Sequence, residues 1–300
     1  MGTPRHLLEV DDLSASEVLR VLDLSEVTDP SPVLAGRGVV LLFEKPSART
    51  RTSMEMATFQ LGGHPVTLRH EEVGIDSRER AEDLARLFSG YGAAIGARVF
   101  EHHKVERLAA AATVPVVNLL SDDAHPVQTL ADLLTIRQSL GRLDDVVVTY
   151  VGDANNVARS LGIGCGLLGL EFRVTSPPGY GFDPASLARI AEAGGAVHVV
   201  EDPVEAVSGA DVVYTDAWYS MGQEAEQAQR RVAFAGWRVD QPLLSHAAEG
   251  AVFLHCLPAH RGDEATDDVL DGASSRIWVQ AHNRMHTARG LLMFLLGEEA

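Results

Sequence analysis

Short apolar runs alternate with amphipathic stretches along most of this 300-residue chain. The runs at residues 39–43, 93–99, 116–119, 146–151, 172–175, 197–200, 212–215 and 252–255 have the length and β-branched content of strands. Most of them, such as 39–43 and 146–151, are near-continuous rather than alternating, as in strands covered on both faces. Helical periodicity falls at residues 15–24, 52–61, 78–89, 105–111, 127–140, 157–168, 184–193, 223–234 and 284–296. Repeated β–α alternation predicts an α/β fold with mostly parallel sheets. A chain of this length holds two domains. Gly141-Arg142-Leu143-Asp144-Asp145, between a long helix and a new strand, marks the boundary. The last helix is apolar all round in its C-terminal part and should be buried.

Ligands in parallel α/β sheets collect at the carboxyl ends of strands, and polar clusters recur there. Ser47-Ala48-Arg49-Thr50-Arg51 follows the first strand and precedes a helix expected from Thr52. Two arginines and two hydroxyls at a strand-to-helix junction, where helix N–H groups are free, suit an anion and phosphate above all. Arg98 ends the second strand, and His125-Pro126-Val127-Gln128 follows the third. Gly152-Asp153-Ala154-Asn155-Asn156, Asp216-Ala217-Trp218-Tyr219-Ser220-Met221-Gly222 and His255-Cys256-Leu257-Pro258 follow later ones. Each has a plainer reading. His125 and Asp216 suit helix caps, Asn155 suits the cap of the next helix and leaves Asn156 freer, and Cys256 suits a small buried apolar site. Arg284, at the start of the last helix, opposes the helix dipole and so needs a reason to be there.

Composition narrows the partners. The net charge of −17 argues against nucleic acid and anionic membranes, so any phosphate site must gather its positive charge locally. Cys165 and Cys256 are the two cysteines, which is no disulfide scaffold and fits a reducing cytoplasm. The N-terminus lacks an apolar signal core, and the apolar runs are too short to span a bilayer. No metal spacing, Gly-x-Gly-x-x-Gly fingerprint, Walker-type phosphate loop or Gly-x-Ser-x-Gly elbow occurs. No metal or cofactor is expected.

Taken together, the motifs resemble the aspartate/ornithine carbamoyltransferase family over essentially the whole chain. Ser47-Ala48-Arg49-Thr50-Arg51 is similar to the family's Ser-Thr-Arg-Thr-Arg carbamoyl-phosphate loop, and His125-Pro126-Val127-Gln128 to its His-Pro-x-Gln segment. Asp216 to Gly222 and His255-Cys256-Leu257-Pro258 resemble the segments of the family's ornithine branch. The resemblance implies two doubly wound domains. Residues 1–140 with helix 284–298 packed back on them would bind carbamoyl phosphate, and residues 141–283 would bind L-ornithine. It implies Ser47, Ala48, Arg49, Thr50, Arg98 and His125 around the phosphate. Gln128, Cys256, Leu257 and Arg284 would surround the carbamoyl group, with Asn156, Asp216, Ser220 and Met221 on ornithine. Arg98, His125 and Cys256 would be the catalytic set.

The implied reaction is carbamoyl transfer to the δ-amine of ornithine, giving citrulline and phosphate in arginine biosynthesis. A putrescine or acylated-ornithine carbamoyltransferase is the alternative. The family also implies a homotrimer in which a neighbour's loop, near residues 72–79 here, covers the phosphate. Three departures stand out. Ala48 replaces a usual Thr, the covering loop lacks a glutamine, and His282 stands where Glu is common.

Overall fold

The computed structural model describes residues 4–219 and 224–297. They form two compact units, one of Met1–Ala131 with His282–Ala300, the other of Asp132–Ala281. The division falls inside helices Pro126–Leu140 and Ile277–Leu295 rather than at the 141–145 connection. The reason is a buried polar contact within the second unit. Gln280 Nε2 donates to Asp132 Oδ1 at 2.6 Å and to the Tyr214 hydroxyl at 3.1 Å, and its Oε1 accepts the His255 N–H at 2.9 Å. These bonds draw one end of each helix into the second unit.

The first unit carries β1 (Gly38–Phe43), β2 (His64–Arg69), β3 (Gly92–Arg98) and β4 (Val116–Leu120), ordered β2-β1-β3-β4 and all parallel. The order reverses at β1, so the crevice between the tips of β1 and β3 is a topological switch point. The second unit carries β5 (Val147–Val151), β6 (Glu171–Thr175), β7 (Val197–Val199), β8 (Val212–Thr215) and β9 (Val252–His255), ordered β7-β6-β5-β8-β9 and again parallel. Its switch point lies between β5 and β8. In the first unit Val40, Leu42, Ile95 and Ala97 from the sheet pack on Leu84, Phe88, Val105 and Leu108 from helices Ala81–Ser89 and His102–Ala111. In the second, Val151, Val213 and Phe253 pack on Val239, Leu243 and Val269.

Four local expectations change. β2 was not expected. It is an edge strand with half-exposed, alternating side chains and Pro65 at its second position, so it has no apolar run to read. The helix expected from Thr52 starts at Ala48, because Ser47 caps it. The last helix starts at Ile277, which moves Arg284 from the helix start into its interior. The helix expected over 223–234 is a 3₁₀ turn, Glu224–Glu226, followed by helix Gln227–Ala233; Gln223 lies outside the described residues. No helix among the described residues is long and apolar enough to cross a membrane.

The C-terminal helix packs back on the first unit through two devices. The buried Arg289 guanidinium donates to the Ser25 and Val27 carbonyls at 2.9 and 2.5 Å, and so serves the last carbonyls of helix Ala15–Glu26. Beside it, Gly290 lets the two backbones touch. A Cβ there would lie 2.7 Å from both Ser25 N and Val21 O. Gly290→Val should therefore lower stability by about 1–3 kcal/mol through overpacking. An unchanged urea midpoint would contradict the close approach.

Candidate active site

Phe43 and Arg98 pair in parallel register, so the tips of β1 and β3 lie side by side. The chain leaves β1 and enters helix Ala48–Gln60, where the Ser47 hydroxyl accepts the Thr50 N–H at 3.2 Å. Ala48 opens the helix with an exposed methyl, and Arg49 and Thr50 follow in the first turn. Unpaired N–H groups and the positive end of the helix dipole thus face the switch point.

Three further elements reach the same place. The buried Thr50 hydroxyl accepts from Arg98 Nη1 at 3.4 Å and from Arg284 Nη2 at 3.2 Å. Arg284 Nη1 also donates to Gln128 Oε1 and faces His125 Nε2 at 3.4 Å. Strand β3, the start of helix Pro126–Leu140 and the interior of the C-terminal helix therefore converge on the first turn of helix Ala48–Gln60. Arg51 does not join them. It pairs with Glu55 at 2.7 Å, one turn along its own helix.

His125 reports the field of this cluster. Burial pushes its pKa well below the ordinary 6.5, and the charges of Arg284, Arg98 and Arg49 push it further down. The imidazole is neutral at neutral pH. In the unfolded chain it binds a proton near about 6.5, but in the folded chain only well below that. His125 therefore costs stability as pH falls below about 6.5 and costs none above it. Lys45 brings another cation to the cluster. It lies 4.3 Å over the Phe100 ring, and burial together with Arg98 lowers its pKa. Lys45 lies two residues before Ser47 and is not among the residues that the family resemblance assigns to the phosphate.

The second unit has its own cluster at the β5/β8 switch point. Asp216, just past β8, is mostly buried. Its Oδ1 accepts the Ala217 N–H at 2.8 Å and the Cys256 thiol at 3.0 Å, and its Oδ2 accepts Asn155 Nδ2 at 3.2 Å. Asn155 also caps helix Asn156–Leu168, its Oδ1 accepting from Val157 N and Ala158 N. Asn155 therefore caps as expected and in addition holds Asp216, a role its sequence gave no sign of. Asn156 is half-exposed at the first helical position. Ser220 and Met221, with Gly222, lie outside the described residues. Cys256 and Leu257 belong to this unit, whereas Ser47, Ala48, Arg49, Thr50, Arg98, His125, Gln128 and Arg284 belong to the first.

Leu257 has a left-handed backbone, φ 60°, which is uncommon for a side chain of its size. Its N–H donates to His255 Nδ1 at 2.8 Å, so that nitrogen carries no proton. The other ring nitrogen, Nε2, must then hold the proton and donate to Glu264 Oε1 at 3.1 Å. Both side chains are fully buried. Asp216, His255 and Cys256 bring their oxygen, nitrogen and sulfur within 4.8 Å of one another, as a metal site would. Their hydrogen bonds already use the His255 ring nitrogens and the thiol proton, so the trio fits a hydrogen-bonded network better than a ligand set.

The chain matches the family model of the aspartate/ornithine carbamoyltransferase carbamoyl-phosphate-binding domain over residues 5–138. It matches the Asp/Orn-binding domain model over residues 144–295. An ornithine carbamoyltransferase of Acidothermus cellulolyticus is 52% identical, across 97% of this chain and 96% of that one. An anabolic ornithine carbamoyltransferase of Pyrococcus furiosus is 44% identical, across 98% and 96%. Among solved structures, an ornithine carbamoyltransferase from Pyrococcus furiosus aligns with a TM-score of 0.94 at 43% identity, covering 99% of each chain. One from Thermus thermophilus aligns at 0.89 and 43%, covering 99% of this chain and 100% of that one. With its sheets and its motifs in agreement with these models, the chain belongs to the aspartate/ornithine carbamoyltransferase family.

Proposed function

We propose that this chain is an ornithine carbamoyltransferase, moving the carbamoyl group of carbamoyl phosphate to the δ-amine of L-ornithine to give L-citrulline and phosphate. One observation carries the donor half. Arg98 and Arg284 both donate to the Thr50 hydroxyl in the first turn of a capped helix, where Arg49 also stands, and Arg284 faces the buried His125 ring. That is a site for a multiply charged anion, and guanidinium groups suit phosphate oxygens. In this reading the phosphate lies on the first turn of helix Ala48–Gln60, held by Ser47, Ala48, Arg49 and Thr50. Arg98, His125, Gln128 and Arg284 meet the phosphate and the carbamoyl oxygen and amide.

The second unit takes the amino acid. Asp216 receives a cationic amine, Asn156 with Ser220 and Met221 completes the amino-acid site, and Cys256 and Leu257 meet the reacting groups. The δ-amine titrates near about 10.4 on the lysine scale, so it must lose a proton before it attacks. Its lone pair then bonds to the carbonyl carbon, the C–O bond to phosphate breaks, and the surplus nitrogen proton leaves with the phosphate. Charge grows on the carbonyl oxygen and then on the leaving group, where preorganised cations lower the barrier. The chemistry needs neither metal nor cofactor.

The active form in this reading is a homotrimer, or a multiple of trimers, acting in the cytoplasm. The loop near residues 72–79 covers a neighbour's phosphate. Its shape is set within the unit. Asp76 is left-handed at φ 60°, Ile75 bridges to Glu79, and Arg107 binds both Asp76 and Glu82, at 2.8 and 2.7 Å.

The test is citrulline formation from carbamoyl phosphate with ornithine, putrescine or N-acetylornithine offered in turn. Ornithine should be preferred, and preference for another amine would overturn the choice of acceptor. Arg49→Ala should lower kcat/KM for carbamoyl phosphate about 10²–10³-fold, the scale of a lost charge-stabilising donor. A loss under about three-fold would remove Arg49 from the site. Asp216→Asn should raise the KM for ornithine about ten-fold or more while carbamoyl phosphate binding by calorimetry stays the same. Equal losses on both substrates would contradict the division of labour.

A further inference from the structure

Glu44, one residue past β1, is a buried carboxylate among the strand tips of the first unit. A buried charge is costly unless its oxygens are used, and both of these are. Oε2 accepts the Phe100 N–H at 2.9 Å, and Oε1 accepts from Lys104 Nζ at 2.9 Å. Burial lowers the Lys104 pKa, but the bond to Glu44 and the charges of Glu44 and Glu101 raise it by more, so Lys104 stays charged. The Glu44 N–H donates to the Arg98 carbonyl at 2.9 Å. One residue therefore grips the chain on both sides of Val99, where β3 ends. Phe100 passes the hold on to the segment between β4 and His125. Its carbonyl accepts the Asp122 N–H at 2.9 Å, and Asp122 Oδ1 in turn accepts the His102 N–H at 2.8 Å.

We propose that Glu44 is a positioning residue for the phosphate donor, a clamp on the tips of β3 and β4 that keeps Arg98 and His125 facing the first turn of helix Ala48–Gln60. The inference rests on the reading that this cradle takes the phosphate of carbamoyl phosphate. Arg98 Nη1 meets the Thr50 hydroxyl at 3.4 Å, a long hydrogen bond that a small backbone shift at the β3 tip would break. A carboxylate repels phosphate, so Glu44 touches no reacting atom and acts through the groups that it places. Charge and position predict opposite outcomes for its removal. If Glu44 were a charge alone, losing it beside the cradle would tighten phosphate binding. If it is a clamp, losing it weakens phosphate binding even though a negative charge has gone.

The test compares wild type, Glu44→Ala and Glu44→Gln. Binding of inorganic phosphate by calorimetry, steady-state kinetics in both substrates and melting temperature are measured for each. Wild type should make citrulline from ornithine. If it does not, the functional reading falls and this inference falls with it. Given an active wild type, Glu44→Ala should raise the phosphate Kd and the carbamoyl phosphate KM about ten-fold or more. The ornithine KM at saturating carbamoyl phosphate should stay within about two-fold. Glu44→Gln keeps an acceptor for the Phe100 N–H and loses the charge pair with Lys104, so both constants should rise about three-fold. It decides the matter alone if Glu44→Ala does not fold. A phosphate Kd that is unchanged or lower in a folded variant, whatever its melting temperature, would overturn the inference while leaving the functional reading standing.

Discussion

Guanidinium groups repel one another, and at an effective dielectric of about 20 two unit charges about 4 Å apart cost about 4 kcal/mol. Arg49, Arg98 and Arg284 nevertheless act together on one buried histidine. They come from a helix, a strand end and the C-terminal helix, so the gathering is built by tertiary structure and not by a run of sequence. Each part of the first unit contributes. The β1/β3 register sets Arg98 beside the helix start, the Ser47 cap turns the helix dipole toward it, and the Gly290 contact with Ser25 lets the C-terminal helix lie close on helix Ala15–Glu26. The neutral His125 is the consequence. Burial first, and then the charges of Arg284, Arg98 and Arg49, keep the ring from taking a positive charge of its own. A bound dianion would offset this repulsion, which is why a chain of net charge −17 can still hold phosphate.

The second unit solves the opposite problem. Carboxylates gather there, and the network spends neutral and cationic donors on them. Asn155 and the Cys256 thiol serve Asp216, Arg230 serves Asp153, and His255 serves Glu264. Leu257 is held left-handed against its own preference by a histidine that the buried Glu264 fixes in one tautomer. Local backbone cost at such a place is supported by surrounding bonds that leave few alternatives. Donor cations in one unit and acceptor carboxylates in the other match the charges of a phosphorylated carbonyl and of an amino acid's amines.

Much of this was legible in the chain because buried parallel strands print as continuous apolar runs. β8 and β9 lie at the residues expected for them, and the polar clusters sit at strand tips as the sheet rule requires. What escaped had weaker print. β2 is half-exposed and carries Pro65, so no run marks it. The helix start at Ala48 was hidden because serine, arginine and threonine read as loop until a cap is recognised. Arg51 looked equal to Arg49, yet Glu55 one turn later takes it away. Arg284 looked like a misplaced cation at a helix start. Its place in the interior of a longer helix, bonded to Thr50 and Gln128, is set by contacts more than a hundred residues away in the chain. Spacing within a segment cannot encode such partners.

The central claim is that these arginines form a single cationic cradle around His125. The most direct measurement is an NMR titration of the His125 ring with and without inorganic phosphate or carbamoyl phosphate. Without ligand the ring should titrate well below the ordinary histidine midpoint, because burial and the neighbouring guanidinium groups disfavour its charged form. With ligand its midpoint should rise, because a dianion among the guanidinium groups offsets their charge. An ordinary midpoint that no phosphate moves would contradict the cradle.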